Sequence, residues 1–259
     1  MKVKLVKGPP LKFIYLNHKI MLYKIRYLLY CISVALTMFS VVPFFILRPF
    51  NPKNTRLFFI VYQKVAKYLL NIHLHIENKE ILQNNDPAVL VGNHQHNLDV
   101  ITVCPLYQSL IVVLGKFELG LIPIFGQFFT LGGNILVKRG NRKKAMASME
   151  KLEKKINSQG LKVLVFPEGH RNREKELRPF KKGAYYTAIK TNAPLIPFSV
   201  SQFVVHRWPL KGFERLDIYL KVHEPISVEG KTTKDIPELI QVTRQKIEEG
   251  IRDLNRHYQ

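Results

Sequence analysis

The chain reads as an α/β protein, a largely parallel sheet flanked by helices, preceded by an N-terminal membrane-associated helical segment. Three observations predict this. Short runs rich in branched residues alternate with helical stretches from residue 56 onward, the pattern of strand-helix-strand crossovers. Residues 27–47 carry no charge. A helix with Ile240, Ile247, Ile251 and Leu254 on one stripe closes the chain.

The elements follow in order. Residues 1–54 form a basic and hydrophobic anchoring segment, and residues 55–259 the α/β domain. The uncharged run of 21 residues is bounded by Lys24 and Arg26 on one side and Arg48 on the other. At about 1.5 Å per residue it is just long enough to cross a bilayer core. Crossing, lying in the interface, and entering and leaving one leaflet all fit that length, with a buried core helix as the bland alternative. Arg48-Pro49-Phe50-Asn51-Pro52 is a poor site for signal cleavage.

Residues 56–70 have a helical period. Strands are expected at 73–76, 88–91, 110–114, 135–137, 163–166, 195–200 and 216–222, with a lysine-rich helix at 141–156 and the closing helix at 237–254. Residues 119–136 are again uncharged, but Gly120, Pro123, Gly126, Gly132 and Gly133 break them, so a second membrane helix is not expected. That stretch, with Phe125, Phe128 and Phe129, reads either as a wall that receives a hydrocarbon chain or as ordinary core.

Composition narrows the partners. Forty Lys and Arg against nineteen Asp and Glu give a formal charge of +21, which calls for an anionic partner: nucleic acid, a phospholipid surface or a phosphorylated substrate. Lysine-rich stretches such as 138–144 lack the interleaved aromatic residues of a nucleic-acid reader, so no nucleic acid is expected. Two cysteines, Cys31 and Cys104, indicate neither a disulfide framework nor a zinc ribbon.

The chemistry concentrates in Asn93-His94-Gln95-His96-Asn97-Leu98-Asp99, directly after an apolar run. On a continuous helix His94 and Asp99 would point about 140° apart, so pairing requires a bend. Gly92 and Asn93 supply one if residues 88–91 are a buried strand and a helix starts near Asn97. A carboxylate then accepts from one imidazole nitrogen while the other takes a proton from a hydroxyl. Taken alone, the spacing fits equally a helix cap beside an unrelated loop histidine. The alternating pairs His73/His75 and His94/His96 invite a metal reading, but no matching cysteine or acidic set follows, and no metal is expected.

Further blocks join this one. Gly115-Lys116-Phe117-Glu118-Leu119 precedes Pro123 and Gly126; Val165-Phe166-Pro167-Glu168-Gly169-His170-Arg171 and Ala193-Pro194-Leu195-Ile196-Pro197-Phe198 follow. With the segment His94 to Asp99, these resemble the four signatures, in order, of the glycerolipid acyltransferase family. Gly133-Asn134-Ile135-Leu136-Val137-Lys138-Arg139 and Leu177-Arg178-Pro179-Phe180-Lys181-Lys182-Gly183-Ala184 are similar to its 1-acylglycerol-3-phosphate branch. The resemblance covers about residues 70–205; His170 stands where relatives usually carry threonine, and His96 where many carry serine.

The resemblance implies an enzyme that moves a fatty acyl group from acyl-CoA or acyl carrier protein to the second hydroxyl of lysophosphatidate, giving phosphatidate. Glycerol-3-phosphate or another lysophospholipid is the alternative acceptor. It implies no cofactor beyond the acyl donor. His94 is the implied general base and Asp99 its orienting partner, with no acyl-enzyme, consistent with histidine at position 96. Lys116, Arg139 and Arg171 are the implied phosphate cations, and Glu168 and Gly169 shape the acceptor pocket, Glu168 by bonding a glycerol oxygen or anchoring Arg171. The setting implied is a phospholipid bilayer, first a bacterial inner membrane with the site facing the cytoplasm, otherwise the endoplasmic reticulum. Basic patches at Arg139, Arg142, Lys143, Lys144, Lys181 and Lys182 would hold the domain on an anionic leaflet.

Overall fold

The computed structural model describes residues 11–83, 86–96, 98–107, 109–138, 150, 152–156, 158–172, 174, 176–203 and 215–256. Two helices come first, α1 (Leu11–Leu47) and α2 (Pro52–Leu70). Asn51 caps α2 by accepting the Lys53 N–H at 2.9 Å, with Pro52 in the first turn where its missing N–H costs nothing. The domain boundary expected at residue 54 therefore falls inside α2. Strands β1 (Ile72–Glu77), β2 (Ala88–Gly92), β3 (Ile111–Lys116), β4 (Ile135–Val137), β5 (Lys162–Val165), β6 (Leu195–Val200) and β7 (Leu216–Val222) form one sheet in the order β1-β7-β6-β2-β5-β3-β4. Every pairing is parallel except β6 with β7.

Both faces are covered, as a parallel sheet requires. β2 is buried throughout, and its residues alternate between two cores. Ala88 and Leu90 enter the core under α1, α2 and the short helices α3 (Asp99–Thr102) and α4 (Phe125–Leu131). Val89 and Val91 enter the opposite one, under α5 (Gly183–Thr191) and α6 (Ile236–Asn255). The expected helix at 141–156 lies mostly outside the described residues; its Leu152 and Ile156 are buried in this second core.

Four local features have physical causes, two of them as expected and two not. The helix expected from Asn97 lasts one turn: Val100, Ile101, Thr102 and Val103 are branched at Cβ, and Pro105 opens a 3₁₀ turn at Cys104–Leu106. Phe128 and Phe129 are core, Phe128 edge-on to Phe58 at 4.5 Å, while Phe125 is only partly buried. The second uncharged stretch is broken into a 3₁₀ turn (Phe117–Leu121), α4 and β4. Finally, α1 starts well before the uncharged run, and Arg26, an expected boundary charge, is 1% exposed. Its guanidinium donates to the Leu70 carbonyl from Nε at 3.0 Å and from Nη2 at 2.5 Å, satisfying the last turn of α2.

One face of α1, through Tyr30, Met38, Val41 and Phe45, joins the core. The opposite face leaves Ile25, Leu28, Ile32, Leu36 and Phe39 exposed. Lys24–Leu47 has the length and apolar character of a membrane-crossing helix.

Candidate active site

Five parallel strands, β6-β2-β5-β3-β4, bring their carboxyl ends to one edge of the sheet, where ligands bind in open α/β folds. From β2 the chain runs to His94, from β3 it ends on Lys116, and from β5 it runs to Glu168, Gly169 and Arg171. The topology thus gathers segments far apart in sequence. Arg139, which follows β4, lies outside the described residues.

The bend between β2 and α3 is tied down by the end of β6. Asn93 Nδ2 donates to the Val200 carbonyl at 2.9 Å, and its Oδ1 accepts the Val200 N–H at 2.8 Å. Gln95 Nε2 donates to Ser201 O at 3.0 Å. His94 Nδ1 is thereby brought onto Asp99 Oδ2. The same oxygen accepts the N–H groups of Gln95 at 2.7 Å and His96 at 3.1 Å. An oxygen facing two fixed donors acts as acceptor, so the shared proton belongs on Nδ1 and the lone pair on Nε2. Asp99's side chain is 5% exposed and that of His94 20%; Nε2 has no hydrogen-bond partner among the described residues.

The imidazole is also held by its face. Phe166 stacks on it at 4.2 Å between centroids, and Phe198 meets Phe166 edge-on at 6.2 Å. Phe198 fits because position 92 is glycine: a Cβ there would stand 2.4 Å from the ring. A side-chain-free residue in β2 therefore fixes the histidine two positions later through two aromatic rings.

Glu168 is buried, and both its oxygens are occupied by protein. Oε1 accepts the His94 N–H at 3.0 Å; Oε2 accepts Asn172 Nδ2 and the Arg178 N–H, each at 3.0 Å. Asn172 N–H in turn donates to His94 O at 2.7 Å. Glu168 thus fastens the turn after β5 to the histidine's own backbone, and neither Arg171 nor an outward-facing oxygen enters that set.

The cations are arranged differently. Arg171 is exposed and has no partner among the described residues. Lys116 is half exposed and pairs loosely with Glu118 at 3.6 Å. Gly169 has a φ of +72°, and a Cβ on it would lie 2.7 Å from Lys181 Nζ, so the lysine lies directly over the glycine. His170 is exposed on the same turn. Position 181 was expected only as surface charge, and Asn93, Phe166 and Asn172 were not expected in the site at all. Asn93 alone had a local signal, as the polar residue that ends a buried strand.

The histidine pairs do not converge on a metal. His73 Nε2 bonds Asn71 Oδ1 at 3.1 Å and His75 Nε2 bonds Asp217 Oδ1 at 2.7 Å, both on edge strand β1, with β7 and β6 between them and β2. His96 Nδ1 accepts the Leu98 N–H at 3.3 Å, and Tyr27 of α1 meets the His96 ring edge-on. No group of three or more His, Cys, Asp or Glu side chains suited to a metal occurs among the described residues.

The chain is similar to proteins of known family. Residues 73–201 match the family model described as Acyltransferase. The 1-acyl-sn-glycerol-3-phosphate acyltransferase of Haemophilus influenzae is 35% identical over 65% of this chain and 70% of its own. The Escherichia coli protein of the same name is 30% identical over 80% and 84%. Among solved structures, the 1-acyl-sn-glycerophosphate acyltransferase PlsC of Thermotoga maritima superposes with a TM-score of 0.71 at 22% identity, covering 93% of this chain and 97% of that one; this likeness is one of fold. With relatives at 30% identity or more matched over most of their length, the chain belongs to the acyltransferase family.

Proposed function

We propose that this chain transfers a fatty acyl group from an acyl thioester, acyl-CoA or acyl carrier protein, to the sn-2 hydroxyl of 1-acyl-sn-glycerol-3-phosphate, giving phosphatidate. The observation that carries the reading is the buried acceptor Asp99 under Nδ1 of a histidine whose Nε2 faces outward. Nε2 takes the proton of the hydroxyl as its oxygen attacks the thioester carbonyl carbon. The C–S bond breaks, and the departing thiolate takes the proton from the imidazolium. The carboxylate of Asp99 stabilises the imidazolium while it exists. No serine or cysteine nucleophile is needed, and position 96, a buried histidine, offers none.

Arg171, with Lys181 and Lys116 on the same side, supplies cations for the acceptor's phosphate; Arg139 is proposed alongside them from the sequence. Guanidinium offers paired donors and ammonium a point charge. The outer face of α1 supports membrane residence. Its inner face is committed to protein from Arg26 to Phe45, which favours a helix lying along the domain in one leaflet over a lone span. A bacterial inner membrane with the site toward the cytoplasm is the proposed location.

The test is turnover by purified full-length protein with each donor against lysophosphatidate, glycerol-3-phosphate and lysophosphatidylcholine. Lysophosphatidate is expected to be the preferred acceptor, and His94→Ala to abolish transfer while still binding vesicles. Near-normal turnover by that variant would sink the mechanism; preference for another acceptor would sink the substrate assignment.

A further inference from the structure

At the other end of the sheet lies a cavity that the proposed reaction leaves unused. β1 runs antiparallel to β2, so its last residues and the turn after it lie at the same end of the sheet as the start of β2, away from His94. There Arg56, Ile60 and Gln63 of α2, with Lys79, Gln83 and Tyr107, line an open cavity of about 410 Å³. Arg56, Ile60 and Gln63 follow at helical spacing on one face of α2. Among the described residues, the side chains of Arg56, Gln63, Lys79 and Gln83 have no hydrogen-bond or ion-pair partner. Tyr107 is 2% exposed, its ring stacked on Phe59 at 3.8 Å.

The lining offers two cations and two carboxamides, far more donors than acceptors. That excess suits an anion with three or more oxygens better than a carboxylate with two. The cavity is of the size that accepts small organic ligands, and Ile60 and Ile76 add an apolar wall next to the donors. Ile60 is itself 46% exposed, so that wall reaches the surface. We propose that this cavity is a second phosphate site, separate from the catalytic edge, that takes the headgroup of an acyl-chain-bearing phospholipid.

The experiment is calorimetric titration of full-length protein in a non-ionic detergent with dioctanoyl phosphatidate, and separately with inorganic phosphate. Wild-type protein is expected to bind two molecules of the lipid. Arg56→Ala combined with Lys79→Ala should weaken one of them at least about tenfold, because hydrogen bonds to charged groups contribute at least that much to affinity. Turnover should stay within about twofold, since neither residue reaches the catalytic edge. An isotherm unchanged by the double variant would overturn the site; inorganic phosphate binding there as tightly as the lipid would overturn the lipid assignment. Failure of the catalytic reading has a different signature, loss of the Arg171-dependent event alone, since binding here is read without turnover.

Discussion

Two halves of the catalytic edge are built on opposite terms. Around His94 every acidic group is enclosed: Asp99 Oδ2 meets three donors, and Glu168 meets three more. Around Arg171 the cations stand in the open, with one loose ion pair at Lys116. The enclosed half is a finished machine part, whose cost of ordering is met by the fold before substrate arrives. The open half is completed by the ligand's own charge. The base should therefore fail abruptly when altered and the cations gradually.

The largest expected effect tests the enclosed half. Asp99→Ala leaves the Gln95 and His96 N–H groups unpaired and frees the imidazole to rotate, and kcat should fall about ten-thousandfold. Asp99→Asn is expected to be milder. The two backbone N–H groups select the amide oxygen for the Oδ2 position, so Nδ1 keeps its acceptor and only the charge that stabilises the imidazolium is lost. A drop of about a hundredfold is expected. Equal losses in the two variants, measured as single-turnover rates, would break the claim that backbone donors set the tautomer.

Glu168 should behave in the opposite way. It has donors against both oxygens, so Glu168→Gln cannot orient its amide without aiming N–H at N–H. Calorimetric melting should show a loss of about 2 kcal/mol, the cost of an unsatisfied buried group. The kcat should fall with it while the acceptor KM changes little. A variant that melts normally but loses acceptor affinity would instead return Glu168 to contact with substrate.

The open half predicts smaller, additive changes in KM. Arg171→Ala should raise the acceptor KM about tenfold with kcat within about twofold, and Lys181→Ala should raise it about threefold. Both effects should shrink as salt rises, because exposed charges are screened within about 10 Å at 0.1 M. A kcat effect from Arg171→Ala that salt does not touch would mean that this cation acts on the reacting atoms.

What the sequence made legible follows the same division. β2, with every residue buried, announced itself as an apolar run, and the strands at 195–200 and 216–222 fell where branched residues predicted them. His94 and Asp99 were legible because both lie within one turn of chain. The clamp on them was not. Glu168 reaches His94 across 74 positions and Asn93 reaches Val200 across 107, contacts created only by the strand order. Glu168 was visible as a residue, but the destination of its oxygens depends on Asn172, which carries no marking of its own, and on a backbone N–H, that of Arg178. Arg26 misled in a related way, since the end of an uncharged run predicts a solvated charge unless the carbonyls of α2 stand opposite it.

A third enclosed group tests whether enclosure by itself marks catalysis. His223 Nε2 contacts Ser199 Oγ at 2.8 Å, and Ser199 Oγ donates to the Ile247 carbonyl at 2.9 Å, so the imidazole must be the donor between them. These contacts pin α6 to β6 and the end of β7, on the opposite core from α3. Burial, with Lys221 and Lys246 nearby, pulls the His223 pKa down to about 4. The unfolded chain, with a histidine near its ordinary 6.5, then binds more protons than the native one between those values. The neutral imidazole's contribution is thus fully present above about pH 6.5 and is lost as pH falls toward 4. His223→Gln keeps an N–H donor without the titration. Its urea midpoint should fall less between pH 7 and pH 5 than that of the wild type, and acyl transfer at pH 7 should stay within about twofold. If the pH dependence of stability is unchanged, His223 is not what acid protonates first. If transfer collapses while the midpoint holds, α6 is coupled to the catalytic edge, and enclosure at His94 is not enough to explain its independence.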